Sequence, residues 1–384
     1  MNNITWIFSG VGVFIIGLFL KLLFKKRKTQ ISQKLNSGHG SVNIQLSGES
    51  SYSNVGISSS ELKGILDIFQ ANFYKLSENA YKVAFARAEE FSLKFISTLN
   101  NQNQNSLQNI QDPAIQYALF NSQKEYAKSG DTNLRDILIT ALIERTSIDK
   151  RSFNQLVLDE ALGVIPKITT AQLDALTLIF LIKNSRALSV KDIDTLHYYV
   201  NDILLKFFKN ISKDIYFYQH LVYAGCITIN KSMIVNEWFD LELMFKKNYR
   251  GLFSKGFTIE KLESVFGKKE IFKEKLIPCY HDSSKIQFDI LNETELKEYS
   301  ETLKLEEEDY KNLSLLYTTT IMTNEEVKTY LMNINKSVPI LYDVWNNSMI
   351  IHSTLTSVGL AIAQLNYKHK IDSDIDLSNW LKEN

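Results

Sequence analysis

The pattern of apolar and polar positions changes character along the chain. Ile4–Phe24 (ITWIFSGVGVFIIGLFLKLLF) is one apolar run, and its single charge, Lys21, sits close enough to the end to reach outward. At about 1.5 Å of rise per residue, a helix over this run spans roughly 30 Å, the thickness of a bilayer core. Lys25, Lys26, Arg27 and Lys28 follow at once, whereas Met1–Asn3 carries no side-chain charge. That order is the reverse of a cleaved leader, which has its charge before the apolar run. The pattern predicts a single transmembrane helix over 4–24 with residues 1–3 as its outer tip. Positive charge stays on the inner side, so the N-terminus faces out and the body faces in. Gly10, Gly17 and Ser9 share one helix face, which fits close helix approach or the ordinary glycine content of membrane helices.

Residues 25–60 then read as a basic stop followed by a polar tether rich in Ser, Gly and Asn, with no helical period. Within it, Ser41–Leu46 (SVNIQL) alternates polar and apolar residues between Gly40 and Gly48, which predicts a short strand. A strand of this length is not stable alone. Its partner is either the body or the same segment of neighbouring copies, which makes Val42, Ile44, Gln45 and Leu46 candidate self-assembly residues. The simpler alternative is a flexible spacer. The Ile44-Gln45-Leu46 core resembles amyloid signalling motifs, departing from them at Ser47.

From Ser58 onward the period becomes helical. Ser58-Ser59-Ser60-Glu61 has capping-box spacing, and Leu62, Ile65, Leu66, Phe69, Phe73 and Leu76 recur on one face. Ser77 restarts a helix on which Ala80, Ala84, Ala88, Phe91, Phe95 and Leu99 line up. Lys82, Arg87, Glu89, Glu90 and Lys94 fall mainly on its other side. After a Gln/Asn linker (100–111), Asp112-Pro113 opens the next helix and Gly130 closes it. Further caps are expected at Asp131, Thr169, Ser189, Ser212, Thr258 and Thr323, the last with Glu326 as a capping box. Leu173–Ile182 is apolar nearly all round but too short to cross a bilayer, so it predicts a buried central helix. Met349–Ala363 predicts another helix, with Ile351, Leu355, Val358 and Ile362 on one face and Ser353, Thr356, Gly359 and Ala363 on a small-residue face. Asn346, Asn347 and His352 count against a second membrane span there. Strand signals are confined to Cys226–Ile229 and Ile286–Ile290. The body is therefore expected to be all-α, mainly helical with few short strands, in two lobes over 61–225 and 226–384. No fixed-period repeat is present.

Composition narrows the function classes. Over 384 residues, Lys+Arg and Asp+Glu are both 43, so no global basic field points to nucleic acid. Two cysteines are too few for a disulfide framework and suit a reducing compartment. With the anchor, this predicts a single-pass membrane protein, its body cytoplasmic.

Five blocks carry a resemblance. Gln111–Asp131 (QDPAIQYALFNSQKEYAKSGD), Tyr218–Cys226 (YQHLVYAGC), Gly251–Thr258 (GLFSKGFT), Leu276–Asp282 (LIPCYHD) and Leu355–Gln364 (LTSVGLAIAQ) are similar to blocks of an uncharacterised family of bacterial helical proteins with a Ser/Gly/Asn-rich N-terminal lead. The resemblance covers most of 40–384 and implies that the membrane spanned by 4–24 is a bacterial inner (plasma) membrane. It implies no activity, cofactor or catalytic residue that could be carried over. A role in bacterial defence follows only from the type of family.

Chemistry is sparse. There is no P-loop, dinucleotide fingerprint, nucleophile elbow or HExxH. The sharpest constellation is His220, Cys226, Cys279, His281 and Asp282. Its two Cys and two His suit tetrahedral zinc by type, but the Cys279-x-His281 gap and the long separation of the two pairs do not suit it by spacing, so no metal and no cofactor are expected. Cys279 as a nucleophile with His220 as base, and His281 nearby as a further candidate, is the catalytic reading. Two buried cysteines beside satisfied histidines is the structural one. Residues 258–290 run helix, turn, helix, strand in winged-helix order, and residues 246–275 carry nine Lys/Arg against four Glu. The acidic stretch 289–326 could face that basic patch, and nucleic acid is not the expected partner. Three function classes follow. The first is a membrane-anchored interaction or scaffold protein, held to lipid through 4–24, with a protein partner or self-association. The second is an enzyme with an unrecognised site near His220, Cys279 and His281. The third is a membrane-perturbing effector in which assembly through 41–46 clusters the anchors.

Overall fold

The computed structural model describes residues 76–102, 110, 112–148, 152–230, 239–267 and 270–371, apart from the side chains of 270 and 273. The expected membrane span 4–24, Lys25–Lys28, the tether, the strand 41–46 with Val42, Ile44, Gln45 and Leu46, and the helix expected from Glu61 to Phe73 lie outside the described residues. The described residues are mainly helical with a few short strands, and none of their helices is long and apolar enough to cross a membrane. Contacts divide the chain into two units at Pro166 and Lys167, not at 225 and 226. The boundary expected at 225 fails because the stretch after Lys167 has its partners in the C-terminal half, as the second unit shows.

The first unit is built from α1 (Glu78–Gln102), α2 (Pro113–Ser129), α3 (Thr132–Thr146) and α4 (Phe153–Val164), each packed on the next. α1 starts where Ser77 predicts, its carbonyl accepting the Tyr81 N–H at 2.8 Å. It buries Ala84, Ala88, Phe91, Phe95 and Leu99, whereas Ala80 is exposed. Gln123 ties α2 to α1, donating to the Ala88 carbonyl at 3.1 Å and Ser92 Oγ at 2.8 Å. Asp112 caps α2, with Pro113 in its first turn. Gly130 ends it at φ +66°, a left-handed conformation that suits a residue without Cβ, and its N–H closes on the Tyr126 carbonyl. Asp131 caps α3 at once, accepting from the Asn133 and Leu134 amides. Buried Arg145 on α3 donates through Nε to Asp159 of α4 at 2.7 Å.

In the second unit, α5 (Thr170–Ile179) opens with the Thr169/Gln172 capping box and runs into a π-helical turn, Phe180–Asn184. Leu173 to Ile182 is buried throughout, as its all-round apolarity predicts. α6 (Ile193–Tyr198) runs into a second π turn, Tyr199–Ile203. Its cap is Asp192 with Thr195, not Ser189. α7 (Ile215–Tyr223) is capped by Asp214, not Ser212, which instead accepts from the Asp214 amide. Carboxylates displace the expected serines at both caps, each reaching the amide two or three residues on. Next come β1 (Ile227–Ile229), α8 (Leu241–Tyr249) and α9 (Ile259–Phe266, capped by Thr258). β2 (Leu276–Pro278) and β3 (Ile286–Phe288) follow, then α10 (Glu293–Thr302), α11 (Glu307–Thr319) and α12 (Asn324–Ile334, with the Thr323/Glu326 box). α13 (Val338–Asn346), β4 (Ser353–Leu355) and α14 (Ser357–Ile371) complete the unit.

α14 lies along α5, which places 167–225 with the C-terminal half. β4 pairs antiparallel with β1, in the register Ile227↔Leu355, Thr228↔Thr354, Ile229↔Ser353. The expected helix over 349–363 is therefore a turn, a strand and only then a helix. Tertiary bonds explain the change. The carbonyls of Ile350, Ile351 and Ser353 accept from Lys183, and the Thr356 N–H bonds to Cys226, so these groups are diverted from helical partners.

The winged-helix order over 258–290 is present in outline, and Phe257 bridges to Ile286 beside the β2–β3 hairpin. The second helix, however, is a six-residue 3-10 stretch, Glu270–Lys275. Its core is also not self-contained. Phe257, Leu262, Phe266, Phe272 and Phe288 pack in one cluster with Leu296, Tyr299, Leu313, Leu316 and Tyr317 of α10 and α11.

Candidate functional site

The thiol and imidazole residues do not share partners. Cys279 and His281 lie together in the β2–β3 turn, where the Cys279 thiol donates to the Ser254 carbonyl at 3.4 Å and His281 Nε2 donates to the Leu252 carbonyl at 2.7 Å. His220, on α7, bonds instead to the side chain of Gln172 at 3.0 Å. Cys226 is buried where α7 passes into β1, and burial pushes its thiol up to about 12. Asp282 pairs with Lys285 at 2.9 Å, within its own turn. Among the described residues no group of three or more His, Cys, Asp or Glu is arranged to hold a metal ion. A nucleophile needs a thiolate and a base within reach. The two cysteines here are buried, each aimed at a backbone carbonyl. Both are expected to resist iodoacetamide at pH 8 in the folded chain and to label fully in guanidinium. Rapid native labelling of Cys279 would favour the nucleophile reading.

Among the described residues, three side chains of the basic run 246–275 bond to the acidic stretch 289–326. Arg250 pairs with Glu293, Lys255 with Glu326 at 3.2 Å, and Lys246 donates to Asn324 at 2.8 Å. The charges of Arg250 and Lys255, neutralised in this way, offer little to a phosphate backbone.

Two other features of the second unit have no counterpart in the sequence reading. The first is Lys183, in the π turn that ends α5. Its ammonium donates to the carbonyls of Ile350 (3.2 Å), Ile351 (2.5 Å) and Ser353 (2.9 Å). It also lies 4.6 Å from the ring centre of Phe239 and 5.5 Å from that of Trp345. These contacts satisfy all three N–H donors without a carboxylate. Burial pushes its pKa down to about 7. The two π turns meet on another side, where Tyr199 of one donates to the Leu181 carbonyl of the other at 3.4 Å. Leu181, Ile182, Tyr199, Leu204, Phe245 and Asn248 line a small cavity there. Its walls are mainly apolar. π turns recur at functional sites because they misalign backbone groups with their helical partners. Here the misaligned turn is the one that carries Lys183.

The second feature is the outer face of α7. Tyr218 and Leu221 point inward and are fully buried, while Ile215 is 38% exposed, Tyr216 73%, Val222 42% and Tyr223 88%. The helix thus presents two well-exposed tyrosines and two aliphatic side chains around Gln219 and His220. The sequence hid this, because Tyr216, Tyr218 and Tyr223 all read as apolar whichever way they point. For Lys183 the available signal was a lone cation directly after the apolar stretch ending at Ile182.

A family model matches residues 56–381, most of the chain. No curated protein and no solved structure matches it. On that match, the chain belongs to an uncharacterised family of helical proteins.

Proposed function

We propose that the chain is a membrane-anchored, cytoplasm-facing interaction protein: 4–24 is held in lipid, Lys25–Lys28 fix the orientation, 29–60 is a tether, and the helical units are the platform. The observation that carries the interaction reading is the α7 face of Ile215, Tyr216, Val222 and Tyr223. Tyrosine is enriched in interface hot spots because a large rigid ring buries much area at little entropic cost, and its hydroxyl finds a partner at the rim. A polar tether raises the local concentration of such a face near the membrane surface. The enzyme reading has less support, since His220 is engaged by Gln172 and shares no hydrogen bond with Cys279 or His281 among the described residues.

The test is the doubly substituted full chain, Tyr216→Ser with Tyr223→Ser, cross-linked in native membranes beside the parent. Both side chains are exposed, so stability should change by less than about 0.5 kcal/mol each. The parent is expected to cross-link into a larger assembly and the variant to remain as single chains. If the assembly survives this change and is lost on Ile44→Asp, the tether strand is the assembly element and the α7 reading is overturned.

A further inference from the structure

We infer that Lys183 is a protonation latch: its ammonium, held by three carbonyls of the 348–353 segment, fixes the turn that supports α7, and loss of one proton releases that turn. The latch stands on geometry. Each of its three bonds goes to a backbone carbonyl of one segment, Ile350, Ile351 or Ser353, so a single charge holds the turn and the start of β4 against the end of α5. A neutral amine keeps two donors and turns a lone pair towards the third carbonyl, so a bond becomes a repulsion. Phe239 and Trp345 offer ring faces that favour the cation and lose that preference when it is neutral.

The same turn reaches α7. Ser348 Oγ accepts from the hydroxyl of Tyr218, the fully buried residue on the inner side of that helix, at 2.9 Å. Beyond the turn, the Thr356 hydroxyl donates to the carbonyls of Gly225 and Cys226, just past the end of α7. Lys183 therefore acts on α7 through Tyr218 at one end of the segment and through Gly225–Cys226 at the other. That this output controls a binding face rests on the proposed function; the latch itself does not.

Among the described residues Lys183 forms no ion pair. The titratable residues on the elements around it include Asp240 beside Phe239, Glu242, Lys246 and Tyr249 on α8, Tyr342 and Asp343 on α13, the last taken by Lys213, and His352 within the turn. Burial alone drives the pKa down, to about 7, while the three carbonyls and two rings hold the proton. An unfolded lysine titrates at about 10.5. Between those values the unfolded chain binds the extra proton, so global stability rises with pH across the window while the turn itself loosens. Both follow from the folded state shedding its proton first.

The experiment is amide exchange of the full chain at pH 6 and pH 9, corrected for intrinsic rates, read at 350–356 and 216–226. The parent is expected to lose at least about tenfold in protection at these amides on going to pH 9, a change of about 1.4 kcal/mol in local opening. Lys183→Arg, charged at both pH values, should abolish the pH response, and Lys183→Met should abolish it from the unlatched side. In a His352→Gln background the response should persist. Equal protection of the parent at the two pH values overturns the latch, a result that needs no variant to fold. A response that survives in Lys183→Met, or vanishes in His352→Gln, assigns the titration elsewhere and also overturns it. The exchange readout uses no partner, so it succeeds or fails independently of the tyrosine cross-linking test.

Discussion

Gly359→Ala is expected to cost about 3 kcal/mol, at the upper end for a small-to-large change. A Cβ built at this position falls 1.9 Å from the Cys226 carbonyl oxygen and 2.8 Å from its carbon. Those are backbone atoms at the entry to β1, so no side chain can swing aside. Relief requires α14 to withdraw from β1 by more than an ångström. That withdrawal would strain the bonds fixing the first turn of α14, because the Thr356 amide donates to the same Cys226 carbonyl at 3.0 Å and the Thr356 hydroxyl donates to the Gly225 carbonyl at 2.6 Å. It would also disturb the packing of α14 along α5. The expected fall in Tm is roughly 6–12 °C. Gly163→Ala is the matched control. Gly163 lies in α4, and a Cβ added there would meet nothing within 4 Å, so the change should stabilise by about 0.5–1 kcal/mol through helix propensity alone. If Gly359→Ala melts within a degree of the parent, the close approach of α14 to Cys226 is wrong.

Gly359 also marks where sequence reading stops. Its place on a small-residue face with Thr356 and Ala363 is legible as helical spacing, and that spacing anticipates tight packing. What it packs against is not legible, because Cys226 is far away in the chain. The same contrast runs through the fold. Asp112, Asp131, Thr169, Thr258 and Thr323 cap helices as their spacing predicts, since a cap is a bond between residues two or three apart. The strand at 353–355 is not predicted, because its pairing to β1 and its ties to Lys183 come from elsewhere in the chain, and these outweigh a local helical pattern. The division at Pro166 is hidden for a similar reason: α5 reads locally as one more helix of the N-terminal series, yet its partner is α14. Among site residues, the Cys and His types drew attention by their chemistry, and packing then gave each a separate backbone or side-chain partner. Lys183 drew none, because a lysine after an apolar helix is the usual sign of an exposed end.

Asp174→Ala should destabilise by about 3 kcal/mol, and what restores that loss identifies its cause. Asp174 of α5 accepts from Lys370 at 2.6 Å and Asn366 at 3.0 Å, both on α14, and Asn366 donates onward to Thr177 at 2.8 Å. The carboxylate is 8% exposed and the lysine 24%, so the pair is mostly out of water but the ammonium retains a path to solvent. Removing one partner of a buried pair leaves the other charged and poorly solvated, which typically costs about 3–5 kcal/mol. The partial exposure of Lys370 places this case at the low end. Lys370→Met should cost at least as much, because the stranded carboxylate is the more buried of the two and keeps only the Asn366 amide. Desolvation of both charges opposes their attraction, so Asp174→Leu with Lys370→Met should recover most of either loss, with a coupling of roughly 1.5–3 kcal/mol in the double-mutant cycle. Asn366 then separates the two explanations of the cost. If the penalty is the stranded charge, Asn366→Leu in the doubly apolar background should be nearly neutral, its amide no longer needed. If instead the polar chain from Lys370 through Asp174 and Asn366 to Thr177 sets the register of α14 on α5, the Asp174→Leu, Lys370→Met variant itself should keep its stability but broaden the unfolding transition. Strict additivity of Asp174→Leu and Lys370→Met would contradict both accounts, since residues sharing one buried bond cannot lose it twice.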